Sequence, residues 1–433
     1  MTDSNKSMDK IISLTKRRGF IFQGSEIYGG LAGTWDYGPL GVTLKNNIKN
    51  LWWDMFVSRR DDMYGLDAAI LMNEKVWEVS GHTGAGFTDP LVECEKCKKR
   101  FREDHLEDVT TCPECGGKLG EKRDFNLMFE TKVGAQGDMK SYLRPETAQG
   151  IFTNFKNVVD TMRPKMPFGI AQIGKAFRNE IAPRDFVFRS REFEQMEIEY
   201  FVEEMNWESA FDEWRETVWL WIHALGLSPD NVREYDVPAD DLAHYSKRTI
   251  DFEYKYPGKG FDELLGLAYR TDHDLKSHMK GSGEKLMYTP VEGEPFIPHV
   301  IEPSMGVERA LMAVLAEAYT EDEMNGETRV FLKLKPELAP VKVAVFPLMK
   351  NRPELVAKAR EVYQELKETI PEIMFDDNGN VGKRYRRQDE IGTPWCVTID
   401  FDTLEDNTVT VRARDTGEQV RIDLTELVSF IQK

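Results

Sequence analysis

The chain has 433 residues, of which 41% are hydrophobic and 30% charged, and its 57 basic and 75 acidic residues give a net charge of −18. This composition predicts a folded protein with room for two or three domains. It excludes disordered, collagen-like, disulfide-scaffold and membrane-spanning proteins, since no apolar run approaches the roughly 18 residues that a transmembrane helix needs. A nucleic-acid partner would have to bind a local basic patch, and because MTDSNKSMDK lacks a signal-peptide core we expect a cytoplasmic protein.

The first part of the chain contains a helical pattern over residues 41–57. Its apolar residues recur at spacings of three and four, beginning with Leu44 and Ile48. Pro39, just before the pattern, is a plausible start signal. A segment dense in charge, residues 89–124, then interrupts this part, as an inserted module would.

Four of the five cysteines form two Cys-x-x-Cys pairs within that segment: Cys94, Cys97, Cys112 and Cys115. Each pair can bring two sulfurs to one metal, and four thiolates are the ligand set of a tetrahedral zinc site. Reduced loop cysteines or a redox pair are the alternatives. Four protein ligands leave no open position for a substrate, so we predict structural zinc. The fifth cysteine, Cys396, lies in an apolar run and is expected in the core.

The middle of the chain alternates in character as β-strands do. Residues 170–180 and 193–201 predict a long antiparallel hairpin with a short polar loop. On the second strand, period-two geometry separates a polar face from an apolar face. The polar face contains Phe193, Gln195, Glu197 and Glu199, and the apolar face contains Met196, Ile198 and Tyr200. The polar face is either solvated or part of a site, since burying unpaired charges costs several kcal/mol each.

Further elements follow in the same order along the chain. They are a Trp-rich helix over 207–226, a strand over 250–256, a strand over 296–302 that turns at Gly306, and a helix over 306–319. Residues 333–340 then predict a proline-containing linker. Beyond it, strands at 341–346, 372–376, 395–400 and 408–414 alternate with helices at 353–369 and 381–391. This alternation favours a small α/β module.

The fold class predicted from these elements is α+β. An antiparallel β-sheet domain carries a zinc-ribbon-like insertion and is followed by the α/β module. The predicted boundaries are 1–88 and 125–335 for the two parts of the sheet domain, 89–124 for the insertion and 338–433 for the module.

Phosphate-binding chemistry is not provided by a glycine-rich loop, because neither of the two usual loop motifs occurs in the sequence. Arginines offer another solution. Arg178 and Glu180 are expected on one strand face with Gln172. Arg309 stands in the first turn of a predicted helix, where a guanidinium beside the helix N-terminus favours a polyphosphate.

Several long motifs resemble one enzyme family. FRNE followed by Arg189-x-x-x-Phe193 resembles motif 2 of class II aminoacyl-tRNA synthetases, GVERALM (306–312) resembles motif 3, and Tyr37-Gly-Pro-Leu-Gly41 resembles the motif 1 dimer-interface element. The runs RGFIFQGSEIYGGLAGTWDYGPLG, LRPETAQGIF, REFEQMEIEYF and IEPSMGVERAL are similar to dimeric glycyl-tRNA synthetases, and GKRYRRQDEIGTP resembles their anticodon-binding domain. The resemblance extends from about Met8 to the end of the chain.

The resemblance implies catalytic roles for Arg178, Glu180 and Arg309. Arg178 would bind the α-phosphate of ATP, Glu180 would lie on the adenine side, and Phe193 and Arg309 would sandwich the adenine. The implied ATP-binding residues are Arg178, Asn179, Glu180, Phe188, Arg189, Ser190, Arg191, Glu192, Phe193, Glu263, Leu264, Gly306, Val307, Glu308 and Arg309.

The resemblance also implies a glycine site, in which Glu146, Glu197, Glu302 and Ser304 surround the substrate and Arg102 is an outlying contact. The implied glycine-binding residues are Arg102, Glu146, Phe193, Glu194, Gln195, Met196, Glu197, Glu302, Pro303, Ser304, Met305 and Gly306. Along the strand, Phe193 and Glu197 should be about 13 Å apart, roughly the distance from the base to the amino group of an aminoacyl-adenylate.

A basic run in the predicted module is the candidate tRNA contact. It contains Lys383, Arg384, Arg386 and Arg387, with Tyr385 as a stacking ring. A solvated helix start, or arginines that brace the domain, are the alternatives.

The implied activity is the ATP-dependent attachment of glycine to its tRNA through a glycyl-adenylate. It implies ATP and Mg²⁺ as cofactors beside structural Zn²⁺, tRNA and glycine as partners, a homodimer, and no membrane. A class II synthetase of another specificity and a non-catalytic relative that kept the fold are the alternatives. A non-catalytic relative could lose the ATP-binding arginines, whereas Arg178 and Arg309 are both present in this chain.

Overall fold

The structure is a computed structural model that describes residues 7–324 and 326–432. Its helices are α1 (Met8–Arg17), α2 (Pro39–Trp53), α3 (Glu74–Val79), α4 (Ala148–Met162), α5 (Trp207–Ala224), α6 (His273–Ser282), α7 (Val307–Ala318), α8 (Pro353–Thr369), α9 (Val381–Ile391), α10 (Phe401–Asp406) and α11 (Leu427–Ile431).

The strands are β1 (Ile21–Gln23), β2 (Trp35–Tyr37), β3 (Met63–Gly65), β4 (Leu71–Asn73), β5 (Thr88–Glu93), β6 (Arg100–Arg102), β7 (Arg123–Asn126), β8 (Phe129–Val133), β9 (Met139–Leu143), β10 (Phe168–Phe177), β11 (Glu192–Val202), β12 (Val232–Asp236), β13 (Arg248–Tyr256), β14 (Gly260–Thr271), β15 (His299–Gly306), β16 (Tyr319–Met324), β17 (Glu327–Leu332), β18 (Val343–Pro347), β19 (Ile373–Phe375), β20 (Trp395–Ile399), β21 (Thr408–Ala413) and β22 (Gln419–Asp423).

A seven-stranded sheet organises the first two thirds of the chain, with the order β12-β13-β14-β15-β11-β10-β3. Neighbouring strands are antiparallel except for the parallel pair β10 and β3. The predicted antiparallel-sheet fold is therefore confirmed. The helices predicted over 207–226 and 306–319 are α5 and α7, and the helix predicted over 41–57 is α2 extended by a π-helical turn at Asp54–Ser58.

The predicted hairpin is formed by β10 and β11, which pair with Gln172 opposite Glu197. The loop that joins them is longer than the short polar loop we predicted and buries Val187 and Phe188. Arg178 and Glu180 lie in this loop beyond the end of β10. The prediction that strand periodicity places them with Gln172 is therefore wrong.

The two faces of β11 differ as the alternation predicts. Met196, Ile198 and Tyr200 lie in the largest apolar core of the chain, which also contains residues of α2, α5 and α7. On the opposite face Glu197 and Glu199 are 2% and 0% exposed. A solvated polar face is thus excluded, and these carboxylates are held inside the protein.

The strand β15 differs from its prediction in position. It begins at His299 and continues through Gly306, and α7 begins at the next residue without a turn, since Gly306 has the extended φ of −83°. Pro303, which has no N–H to donate, pairs in register with β14. The pairing of β15 with β11 is interrupted between Ile301 and Ser304. Pro303, which lacks an N–H, therefore lies where β15 does not pair with β11.

The cysteine segment forms a small sheet of its own. The strands β6, β5 and β7 pair antiparallel in that order. The four cysteines pack together there with Val92 and Leu119. Because β6 ends at Arg102 and pairs with Leu91 of β5, the position of Arg102 depends on how this segment folds.

The C-terminal part contains a mixed five-stranded sheet with the order β19-β18-β20-β21-β22. The helices α8 and α9 begin and end at the predicted residues, and Cys396 is buried as expected. The short helices α10 and α11 and the strand β22 were not predicted. The linker over 333–340 has no helix or strand, but Leu334, Leu338 and Ala339 are buried in the large core, so it is a packed connection.

A buried ion cluster joins the C-terminal sheet to the β16–β17 hairpin. Asp389 of α9, which is 1% exposed, accepts hydrogen bonds from Arg412 at 2.8 Å and from Arg329 at 3.4 Å. The next residue, Glu390, pairs with Arg18 at the end of α1. Arg329 also pairs with Asp322, so removing the Asp389 carboxylate would leave the buried Arg412 without its carboxylate partner, a change that typically costs about 3 to 5 kcal/mol.

We propose the four-part division given above for the folded chain, because the insertion and the C-terminal part each contain a separate sheet. Among the described helices, none has the length and apolar character needed to cross a membrane.

Candidate active site

A cavity of about 500 Å³ lies over the polar face of the central sheet. The structure brings most of the predicted site residues to its wall. They are Arg102, Glu146, Arg178, Glu180, Phe188, Arg189, Ser190, Phe193, Gln195, Glu197, Glu263, Glu302, Ser304, Gly306, Glu308 and Arg309. They come from the insertion, the loop between β9 and α4, the β10–β11 hairpin, β14, β15 and α7, so a single cavity collects residues that are more than two hundred positions apart.

Arg178 lies just beyond β10 at the wall of the cavity. Its Nε donates to the carbonyl oxygen of Pro145 at 3.1 Å. Its guanidinium lies 5.4 Å from the centre of the Phe193 ring and 5.6 Å from that of Phe87. These contacts fix a positive charge where a phosphate could bind.

Arg309, in the first turn of α7, lies at the end of the wall that Glu263 of β14 forms. Its Nη1 lies 2.8 Å from Oε2 of Glu263, and its guanidinium stands over the ring of Phe188 at 4.5 Å. The Arg309 charge holds the pKa of Glu263 below its usual range. Burial, followed by the charge of Glu263, raises the pKa of Asp251 to about 7. This end therefore combines a cation with two carboxylates.

Glu180 faces the cavity from the hairpin loop, where it is almost fully buried. Its Oε2 lies 3.9 Å from Nη1 of Arg189, which is too long for a hydrogen bond. Burial raises the pKa of this carboxyl.

The third region of the cavity is acidic. Glu197 accepts a hydrogen bond from Thr147 and another from the Ser304 hydroxyl at 2.7 Å. Glu302 accepts from Nη1 of Arg270 at 2.7 Å. The third carboxylate, Glu146, is described next.

Glu146 lies 3.2 Å from Nε2 of His82 and accepts from Gln149 at 3.0 Å. Burial alone would raise the pKa of Glu146, but His82 and Arg270 hold it below the usual range. Burial, followed by the charge of Glu146, raises the pKa of Glu197. The three carboxylates of this region, Glu146, Glu197 and Glu302, therefore surround a space with an excess of negative charge.

The effect of burying several carboxyl groups together is seen in the pKa values of Glu302 and Glu199. Burial raises the pKa of Glu302 to about 8; the Arg270 charge opposes this shift, and the charges of Glu197 and Glu146 add to it. Burial, followed by the charge of Glu302, raises the pKa of Glu199 well above its usual range. Neither oxygen of Glu199 has a hydrogen-bond partner in the described part of the chain. Burial without a hydrogen-bond partner therefore favours the protonated form of Glu199.

Several predicted residues do not reach the cavity with their side chains. Met196, Leu264, Met305 and Val307 lie in the apolar core, since they alternate with residues that face the site. Glu194 pairs with Lys45 at 2.7 Å. The full set that does not line the cavity is Asn179, Arg191, Glu192, Glu194, Met196, Leu264, Pro303, Met305 and Val307. Their predicted roles in ATP and glycine binding stay predictions.

Sequence reasoning missed other residues of the wall. Thr249 and Asp251 alternate with buried Ile250 and Phe252 on β13, and Gly266 and Ala268 alternate with buried leucines on β14. The same period-two rule that separated the faces of β11 would have found them. Arg270 is fully buried between Asp274, four residues further along the chain, and Glu302. Its pairing with Glu302 carried no such signal, because Glu302 comes from a distant segment.

The basic run of α9 is arranged differently from its prediction. Arg384 is 1% exposed and donates to the carbonyl oxygens of Pro347, Asp377 and Gly379. Arg387 donates to Asp376 at 2.7 Å. These two arginines brace the domain, which was the alternative interpretation, and they are not free phosphate contacts.

Other members of the run differ in exposure. Tyr385 donates or accepts a hydrogen bond with Thr398 at 2.6 Å and packs on Phe346, so its ring is not a free stacking surface. Lys383 and Arg386 are exposed, and Arg386 pairs with Glu327 of β17. The cationic patch is thus reduced to two side chains.

The four clustered cysteines have the geometry of a metal site. Their sulfurs all lie within 4.8 Å of one another, and the separations are 3.6 Å for Cys94 with Cys115 and 3.7 Å for Cys97 with Cys112. A tetrahedral zinc with bonds of about 2.3 Å requires sulfurs roughly 3.8 Å apart, whereas a disulfide bond is about 2.0 Å long. The donor set therefore fits zinc.

Two parts of the chain match known protein families. Residues 129–318 match the tRNA synthetase class II core domain (G, H, P, S and T), and residues 342–433 match an anticodon binding domain. These two matches cover six of the seven strands of the central sheet and the C-terminal α/β part.

Whole-chain relatives are similar over nearly their full length. A glycine–tRNA ligase of Caldanaerobacter subterraneus subsp. tengcongensis is 51% identical, and the match covers 99% of this chain and 98% of the relative. Glycine–tRNA ligases of Streptomyces coelicolor and Treponema denticola are 51% and 49% identical, covering 98% and 100% of this chain. The chain therefore belongs to the glycine–tRNA ligase family of the class II aminoacyl-tRNA synthetases.

Proposed function

We propose how this chain performs the reaction of its family, the ATP-dependent attachment of glycine to tRNA. The observation that carries the proposal is the cavity itself, whose wall combines Arg178 and Arg309 with three carboxylates, Glu146, Glu197 and Glu302. The two arginines suit the phosphates of ATP, and the carboxylates suit the ammonium group of an amino acid.

In the first step, a carboxylate oxygen of glycine attacks the α-phosphorus of ATP. The bond from that phosphorus to the bridging oxygen breaks, and pyrophosphate leaves with the electron pair. Arg178 stabilises the charge on the α-phosphate, and Arg309 binds the departing phosphates. No covalent intermediate with the enzyme is needed, because positioning and electrostatic stabilisation supply the rate enhancement.

Magnesium is implied as the partner of ATP. Glu263 and Asp251 provide hard oxygen donors beside Arg309, the ligand type that Mg²⁺ prefers. Burial, followed by the charge of Glu263, raises the pKa of Asp251, so a cation bound between the two carboxylates would favour their ionised forms. When bound, the ion would neutralise phosphate charge; Glu263 is the residue that we assign to holding it.

Glycine selection follows from the acidic region. Glu146, Glu197 and Glu302 would hold the ammonium group from different directions, while Ser304, fixed on Glu197 at 2.7 Å, closes the space beside the α-carbon. A methyl group in place of an α-hydrogen would then clash with the wall. This matters because an added methylene normally changes binding by only about 1 to 3 kcal/mol.

In the second step, a hydroxyl of the 3′-terminal ribose of tRNA attacks the carbonyl carbon of the glycyl-adenylate. The carbon–oxygen bond to the phosphate breaks, AMP leaves, and an ester to tRNA remains. The C-terminal domain would bind the anticodon region, with Lys383 and Arg386 as the exposed cations of its basic run. The cytoplasmic location stays a prediction.

The proposal is tested by glycine-dependent exchange of pyrophosphate into ATP. Arg178→Ala and Arg309→Ala should each reduce the exchange rate at least a hundredfold, since an oriented charge contact to a transition state supplies about 3 kcal/mol. Alanine in place of glycine should support almost no exchange. Arg59→Ala, which removes a largely exposed arginine outside the cavity, is the matched control. A folded Arg178→Ala variant with a normal rate would contradict the assignment.

The raised pKa of Glu302 predicts a proton release. Below pH 8 this carboxyl is mostly protonated when the site is empty, and an adjacent ammonium group favours its ionised form. Glycine binding at pH 7 should therefore release protons, and glycine affinity should fall as the pH decreases below 8. Calorimetric titration in two buffers of different ionisation enthalpy measures the release.

Two substitutions assign the released proton. Glu302→Gln should abolish the release, whereas Asp251→Asn, which removes the other carboxyl with a pKa near neutrality, should leave it unchanged. Glycine binding at pH 7 without proton exchange in the unaltered protein would show that Glu302 is already ionised.

We propose that zinc binds to Cys94, Cys97, Cys112 and Cys115 and stabilises the insertion. Metal analysis of the purified protein should give one zinc per chain. Cys112→Ser should lose the metal and make residues 89–124 sensitive to protease, while Cys396→Ala, a buried cysteine outside the cluster, should keep it. Because Arg102 reaches the cavity from this segment, loss of zinc should also weaken substrate binding. A protein without zinc and with an intact insertion would refute the site.

We propose a homodimer formed through the surface around the motif 1 element. Ile27 and Tyr28 are 88% and 87% exposed, and Phe22, Leu31 and Val42 are exposed near them along the chain. So many exposed apolar side chains in one short segment are typical of an interaction surface. Ile27→Asp combined with Tyr28→Asp should give a monomer by analytical ultracentrifugation. Val291→Asp, an equally exposed site elsewhere, should remain dimeric; a dimeric double variant would place the interface on another surface.

A further inference from the structure

A single glutamine amide joins α4 to α6 behind the acidic region of the cavity. Gln149, in the first turn of α4, is 1% exposed. Its Nε2 donates to Oε1 of Glu146 at 3.0 Å and to Oδ1 of Asp274, in the first turn of α6, at 3.2 Å. Its Oε1 is hydrogen-bonded to Nε2 of His278 at 2.8 Å. One end of this buried amide therefore holds a carboxylate that faces the substrate.

The groups around Gln149 allow only one orientation of its amide. Burial alone would raise the pKa of Asp274, but Arg270 and Gln149 hold it below the usual range, and Glu146 is likewise ionised. An ionised carboxylate can only accept hydrogen bonds, so the amide nitrogen must face both of them. In the reverse orientation the amide oxygen would face two negative charges.

His278 fixes this orientation from the other side of the amide. Burial lowers its pKa, although the charge of Asp274 opposes this shift, so the ring is neutral at pH 7 and carries one proton. Because an amide oxygen can only accept, that proton must be on Nε2. His278 does not line the cavity, so it acts on the substrates only through its neighbours.

The helix α6 supports the acidic region through two of its side chains. Asp274 and His278 are four residues apart, which places them on the same face of the helix, toward Gln149. Asp274 also accepts two hydrogen bonds from Arg270, both of 2.8 Å. Asp274 therefore holds the buried arginine of the site, whereas His278 holds the amide.

We propose that His278 is a positioning residue for glycine binding. By donating to the Gln149 amide, it keeps the amide nitrogen on Glu146 and so fixes the carboxylate that faces the ammonium group. This inference rests on the proposed function, because that function assigns Glu146 to the ammonium group. It gives a role to a buried histidine that neither chemical step uses.

Three replacements of His278 separate its hydrogen bond from its volume. His278→Leu, which has a similar volume but no donor, should raise the KM for glycine in pyrophosphate exchange about tenfold, because the hydrogen bond to the charged Glu146 is weakened. The kcat should change little, since the ammonium group is bound alike in the ground and transition states. His278→Gln can place an amide nitrogen where Nε2 lies and should keep a nearly normal KM. His278→Asn is too short to do so and should behave as His278→Leu.

The KM for ATP distinguishes this role from a purely structural one. Arg178 donates to the carbonyl oxygen of Pro145, the residue before Glu146. A displaced backbone at this place would move Arg178 and raise the KM for both substrates, whereas a reoriented amide raises only the KM for glycine. His299→Leu is the matched control, because His299 and His278 are both 7% exposed. It should leave both KM values unchanged.

A double variant tests whether His278 acts through the amide. Gln149→Met removes the amide, so adding His278→Leu should raise the KM for glycine no further. A normal KM for glycine in His278→Leu, an equal rise in the KM for ATP, or additive effects in the double variant would overturn the inference. If His278→Leu does not fold, equal KM values for glycine in His278→Asn and His278→Gln would overturn it. Failure of the unaltered protein to exchange pyrophosphate would count against the proposed function itself.

Discussion

The structure depends on the burial of negative charge on one face of the central sheet. Glu197, Glu199 and Glu302 lie on neighbouring strands with almost no exposure to solvent, and Arg270 is the cation buried among them. Ionised carboxylates cannot remain in such a place unless they are paired or protonated. Arg270 compensates part of the charge, and the protonation of Glu199 compensates more. The negative charge that is left uncompensated allows the site to bind a small cationic group.

This view links the fold to its chemistry. A sheet built for stability alone would place apolar residues on both faces, as β11 does on the side of Met196 and Ile198. The opposite face contains polar residues and contributes less to stability. Its polar groups are already oriented before any substrate binds. Such preorganised groups need no rearrangement during the reaction, and sites of this kind commonly reduce the stability of the protein that contains them.

Much of the fold could be predicted from sequence because its elements repeat their apolar residues regularly. The bounds of α8 and α9, the β10–β11 hairpin and the faces of β11 all follow from periods of 3.6 and 2. The site could be predicted less completely. Periodicity does not tell whether a charge in a run braces the fold, as Arg384 does, or faces solvent, as Lys383 does. Arg270 could not be assigned to the site because Glu302, one of its two partners, becomes its neighbour only after folding.

The joint at Asp389 has a consequence for how the protein unfolds. The carboxylate binds one arginine of the β16–β17 hairpin and one of the C-terminal sheet, and the buried connection at Leu338 joins the same two regions. Neither region can open without exposing the charges and apolar groups of the other. Separate domains linked by a flexible tether unfold independently. The hairpin region and the C-terminal sheet share buried partners, so both should unfold on heating in one cooperative calorimetric transition.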